Sequence, residues 1–116
     1  MTSITVLESA QLDFDEIKAG FQQTHTRRAF EDFKKAFKRL FQTLKAYPES
    51  GHVLDEARAM GVDFRQVVCE NIRVIYSYDS ARDMLVIAMF LPTQRDFLTH
   101  LTRRILRPPI LNNKAR

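Results

Sequence analysis

The spacing of apolar positions changes along the chain, and each change marks a different kind of element. ITVLES (4–9) begins with β-branched residues and predicts a short first strand. Asp13 with Glu16 three residues on has the spacing of a capping box, and Phe14, Ile17 and Phe21 then recur at three- and four-residue steps. A short helix ending near Gln23 is expected. After the polar turn THT, Phe30, Phe33, Phe37, Leu40, Phe41 and Leu44 fall on one stripe of a longer helix, while Lys35, Lys38, Arg39, Gln42 and Lys45 take other faces. Tyr47-Pro48-Glu49-Ser50-Gly51 stops that helix. So short a link between two amphipathic helices predicts an antiparallel hairpin.

Beyond Gly51 the period shortens. DEARAMG (55–61) is ambiguous and reads at most as a helical turn. FRQVVCE (64–70) alternates loosely, Glu70-Asn71 is a tight-turn pair, and IRVIYSYD (72–79) follows as its hairpin partner. After the turn DSARD, MLVIAMFL (84–91) carries no charge, as expected of a strand covered on both faces in the middle of a sheet. Pro92 ends it. DFLTHLTRRIL (96–106) places Leu98, Leu101 and Ile105 along a helical stripe, with Arg103 and Arg104 near the carboxyl end, where the helix dipole favours cations. Pro108-Pro109 stops that helix. The expected order is strand, helix, helix, strand, strand, strand, helix. This is an α+β domain over residues 1–107, with the helical hairpin packed on a curled antiparallel sheet, and residues 108–116 form a basic tail.

Composition narrows the picture. A chain of 116 residues fits one domain and can bury roughly two thirds of its unfolded surface without metal or disulfide staples. The single Cys69 has no internal disulfide partner and reads as a small buried hydrophobe. The first residues meet acidic side chains too soon for a secretory signal, and no run of about eighteen apolar residues exists for a membrane span. A cytoplasmic protein without a membrane anchor is expected. The formal charge of +4 favours an acidic partner, either nucleic acid or an acidic polypeptide. No Cys/His spacing suggests zinc and no glycine-rich loop suggests a nucleotide, so no cofactor is expected. His25 and His52 fall in expected turns and read as solvated side chains.

Three stretches in order carry a further signal: the hairpin closing on YPESG, then FRQVVCENIRVIYSYD, then LVIAMFLPTQRDFLTHLTRRIL. From about residue 4 to about 106 the chain resembles the RelE/ParE superfamily of bacterial type II toxins. The RelE branch cleaves messenger RNA on the ribosome and needs groups that stabilise a charged phosphoryl transition state and protonate the leaving oxygen. Similarity to that branch places its arginines on Arg73 and Arg95. Its helical tyrosine falls on Leu101, which cannot transfer a proton, and its paired lysines fall on Phe64 and Gln66. His100 is adjacent to Leu101 but points about 100° away on a helix. The ParE branch, which poisons DNA gyrase by binding, is the closer match in RQVVCEN, LVIAMF and RDFLTHLTRRI, although Leu91-Pro92 stands where that branch commonly has a histidine.

The resemblance therefore implies a ParE-like gyrase inhibitor neutralised by a cognate acidic antitoxin, with which it forms a hetero-oligomer. A RelE-like endoribonuclease acting on ribosome-bound mRNA and a non-toxic interaction module are the alternatives. Arg65, Arg73, Arg95, Asp96, His100, Arg103 and Arg104 are the candidate target- or antitoxin-binding residues, with Arg73 and Arg95 catalytic only in the RNase reading. The structural reading of the same residues is that Arg73 pairs with a carboxylate across the sheet and Asp96 caps a helix.

Overall fold

The computed structural model describes residues 2–61 and 63–93. The expected carboxyl-terminal helix and the tail lie outside the described residues, as do Arg95, Asp96, His100, Arg103 and Arg104. The chain runs β1 (Ser3–Val6), α1 (Glu8–Thr24), α2 (Arg27–Ala46), β2 (His52–Val53), α3 (Asp55–Arg58), β3 (Arg65–Cys69), β4 (Ile72–Asp79) and β5 (Met84–Pro92). The fold is α+β with a helical hairpin on one face of a sheet, as the periodicities predict.

Three details differ from expectation. The first strand stops at Val6 and α1 starts at Glu8, so Asp13 lies well inside the helix rather than at its cap. Leu7 holds the N-cap position without a side-chain bond. The sheet claims the carboxylate instead: β1 makes its last bond to β5 through Leu7 N–H to the Ile87 carbonyl, and farther along β5 the Asp13 Oδ2 accepts from Phe90 N–H at 3.3 Å. The second difference is that β2 intervenes before β3, which puts the exposed His52 in a two-residue strand rather than a turn, while α3 is a helical turn of the kind DEARAMG allowed.

The third difference is that the sheet is mixed. Its order is β1-β5-β4-β3-β2, antiparallel throughout except that β1 pairs in parallel with β5, Ser3 opposite Met84 and Val6 opposite Ile87. Two successive hairpins fix the direction of β5, and β1, separated from it in sequence by both helices, α3 and the strands β2 to β4, joins its outer side in the parallel sense, which no tight hairpin turn could give.

Thr26 starts α2 by accepting from Ala29 N–H at 3.1 Å. The two helices meet through aromatic rings. Phe14, early in α1, lies 5.0 Å from Phe37 of α2 and 4.7 Å from Phe90 of β5, and Phe21, late in α1, lies 4.4 Å from Phe33. This crossing order makes the hairpin antiparallel. Phe33, Phe37 and Leu44 are buried against Ile72, Val74, Tyr76, Leu85, Ile87 and Phe90 of the sheet.

At the β3–β4 turn Glu70 and Asn71 both have left-handed φ, 53° and 62°, as a two-residue type I′ hairpin demands. That turn sets Cys69 opposite Ile72 and Val68 opposite Arg73. Alternation then sends Ile72, Val74 and Tyr76 to the helices and Ile75 to the other face. In β5 a bulge interrupts the alternation: Ile75 pairs with Met89 and Tyr76 with Ile87, leaving Ala88 as the extra residue. Leu85, Ile87 and Phe90 consequently face the helices, while Met89 and Leu91 join Ile75, Leu54 and Ala57 in a smaller cluster on the second face. Burial on both faces is the reason this strand carries no charge, and it is an interior strand as expected.

Candidate functional site

Arg73 lies on the second face of the sheet, between Val68 of β3 and Leu91 of β5 in the ladder. Its Nε donates to Gln66 Oε1 at 2.7 Å, and its Nη2 stands 3.8 Å from Glu56 Oε1 on α3. The guanidinium side chain is 16% exposed and the Glu56 side chain 41%. The hydrogen bond is the directional part of this arrangement, and the carboxylate, longer and wetter, contributes mainly by balancing charge. The floor of the site is apolar, made by Ile75, Met89 and Leu91, with Leu54 and Ala57 closing one side. Val68 leaves much of its side chain in water. Thr93 N–H donates to the Asn71 carbonyl at 3.0 Å, which ties the end of β5 to the β3–β4 turn.

Arg65 does something different. It has the parity of Val67 and Cys69, which pack toward the helices, and its Nη1 donates to the carbonyls of Glu49 at 2.9 Å and Gly51 at 3.0 Å, while Nη2 stands 3.6 Å from Glu49 Oε2. This guanidinium fastens the loop that ends α2 onto the sheet. The same loop is held from below by Tyr76, whose buried hydroxyl accepts from Gly51 N–H at 2.8 Å. A side chain at position 51 would collide with that ring, which is why a glycine stands there. Arg65 and Arg73 therefore occupy opposite faces of the hairpin, about three residues or roughly 10 Å apart along the strands, and do not form one patch.

Gln66 and Glu56, two partners of Arg73, are residues that pattern reading missed. Gln66 was legible in principle, because a two-residue turn at Glu70-Asn71 places it on the same face as Arg73 and one diagonal step away. Glu56 was not, since it arrives from α3, in a segment without clear periodicity.

Other titratable groups serve the scaffold. Burial, followed by the Glu70 charge, pushes the Cys69 thiol up, which makes it a poor nucleophile. Burial likewise raises the Tyr76 hydroxyl. Asp83 Oδ1 accepts from the hydroxyls of Thr2 and Tyr78, each at 2.7 Å, and these two bonds hold its carboxyl below the ordinary range. Among the described residues no three His, Cys, Asp or Glu side chains stand close enough to hold a metal ion. No described helix is long and apolar enough to cross a membrane. Compared with known proteins, the chain matches no family model and no curated sequence.

Proposed function

We propose that this protein is the toxin of a toxin–antitoxin pair, built like the RelE/ParE superfamily, and that it acts by binding DNA gyrase rather than by cutting RNA. The resemblance of its sequence stretches to that superfamily supports the toxin reading, and a helical hairpin on a sheet is the architecture the resemblance implies. One observation carries the choice of a binding mechanism: Arg73, the described arginine on which an RNase mechanism would depend, gives its Nε to Gln66 and faces Glu56 at 3.8 Å. A cation that must stabilise a developing phosphoryl charge works best when aimed at substrate and not offset by a neighbouring carboxylate. Arg73 is accordingly a sheet residue. Target contact falls to the sequence-identified residues Arg95, Arg103 and Arg104, and the cognate antitoxin is an acidic chain that folds onto the toxin.

The test uses purified gyrase and purified ribosomes side by side. Wild-type protein is expected to inhibit supercoiling. The double substitution Arg103→Ala with Arg104→Ala should remove the inhibition while changing stability by no more than about 0.5 kcal/mol. Arg73→Ala should lower stability and leave inhibition in place. Cleavage of ribosome-bound mRNA by the wild type, abolished by Arg73→Ala, would overturn this reading in favour of a RelE-like endoribonuclease.

A further inference from the structure

Among the described residues β1 is an edge strand, with no strand paired on its outer side. Ser3 N–H donates to the Asp83 carbonyl and Leu7 N–H to the Ile87 carbonyl, so the odd-numbered residues of β1 turn their backbone groups toward β5. In a strand these directions alternate, and the N–H and C=O of Ile4 and Val6 therefore point away from the sheet. The side chains of Ile4 and Val6 pack toward the helices, which leaves Ser3 and Thr5 exposed on the second face. Edge strands are usually guarded by a lysine, a proline or a bulge. The segment SITV has none of these.

We infer that this edge pairs with the same edge of a second copy of the chain, the two β1 strands running antiparallel about a two-fold axis at Thr5. The open groups are symmetric about that residue. Ile4 and Val6 flank it at one step on each side, so Ile4 of one chain faces Val6 of the other and each pair exchanges two backbone hydrogen bonds. The central Thr5–Thr5 pair is then the close, non-hydrogen-bonded kind, with Cα atoms about 4.5 Å apart.

Charge selects this occupant over an acidic peptide. The chain carries a formal +4, yet Ser3–Val6 has no charged side chain, so an acidic segment finds no cation on the strand to recognise, while a second copy meets no like charge there. Leu7, at the end of the strand, and Leu12, on α1, are 43% and 59% exposed and add apolar surface at the same end of the chain. Four backbone bonds alone fall short of the roughly 1,000 Å² of a stable interface. The pairing is thus a concentration-dependent equilibrium and not an obligate dimer. It does not depend on the toxin reading.

Sedimentation equilibrium over a wide concentration range tests it. The wild type should rise from 13.6 kDa toward twice that mass. Thr5→Lys and Thr5→Glu each place like charges face to face at the axis on an exposed side chain that the fold tolerates, and each should stay at the single-chain mass over the same range. Mixing the two variants in equal amounts should restore association. Amide hydrogen exchange adds a residue-level reading: Ile4 and Val6 should slow as concentration rises, whereas Ser3, Thr5 and Leu7 remain protected throughout. A wild type that stays monomeric, a Thr5→Lys variant that associates as the wild type does, or a dimer in which Ile4 and Val6 exchange freely would each overturn the inference. So would protection of Ile4 and Val6 that appears only when an acidic peptide is added.

Discussion

Replacing Gly51 by alanine isolates one contact that holds the α2 loop to the sheet. An added Cβ would meet the Tyr76 hydroxyl and lie 2.8 Å from Cε1 and 2.9 Å from Cζ of the ring, closer than real Cβ contacts allow. The ring has nowhere to go, since Tyr76 is 0% exposed and packed in the main cluster. Overpacking of this kind costs about 1–3 kcal/mol. The Gly51 N–H to Tyr76 Oη bond weakens as the loop lifts, which adds about 0.5–1.5 kcal/mol. Against this, alanine restricts the unfolded chain and returns about 0.4–1 kcal/mol. The balance is a destabilisation of about 2 kcal/mol, or a fall in Tm of roughly 8 °C for a chain this long. Urea denaturation followed by far-UV circular dichroism reads it. Gly20→Ala is the control, because nothing lies within 4 Å of its Cβ in the interior of α1, and there alanine should stabilise by about 0.5–1 kcal/mol. A Gly51→Ala variant within about 0.5 kcal/mol of wild type would refute the close-contact account.

Phe37→Ala, which empties a site 2% exposed between Phe14, Phe33 and Phe90, should cost about 3–5 kcal/mol in the same denaturation assay, and a loss under about 1 kcal/mol would contradict the packing described. Asp83 predicts a pH dependence. Its carboxyl is held low in the fold by Thr2 and Tyr78, so its contribution is present above the unfolded carboxylate pKa and is lost as pH falls through the lower folded value. The stability gap between wild type and Asp83→Asn should therefore shrink below about pH 4, and a gap that does not change with pH would count against these bonds. Asparagine tolerates the left-handed φ of 49° at this position, so the comparison isolates the charge.

The α2 stripe, the I′ turn at Glu70-Asn71 and the charge-free strand at 84–91 were all legible because each depends on a local periodicity or a local backbone requirement. What was not legible depends on neighbours distant in sequence. Asp13 looks like a helix cap when only residues 13–16 are considered, yet its carboxylate serves Phe90, 77 residues away. The parallel sense of β1 likewise follows from where β5 ends up. For the candidate site, the sequence placed Arg73 and Arg65 in one set of candidate binding residues, with a conditional catalytic role for Arg73 only, whereas the fold puts one beside Glu56 and the other on the loop after α2. Strand parity separates them, and that parity follows from the two-residue turn at Glu70-Asn71, whereas their partners Glu56 and the loop after α2 come from outside the hairpin.

The pairing of β1 with β5 also orders events in time. Thr2 and Asp83 are bonded across 81 positions of sequence, so during synthesis β1 lacks its partner β5 until almost all of the described chain has followed. At roughly 5–20 residues per second that interval is on the order of several seconds, long compared with the formation of either helix. The hairpins β3–β4 and β4–β5 can form from neighbouring segments, and β1 then closes the sheet as its last and most non-local step. During synthesis SITV is an unpaired, uncharged segment rich in β-branched residues, and the helices that follow it are finished before it has anywhere to dock.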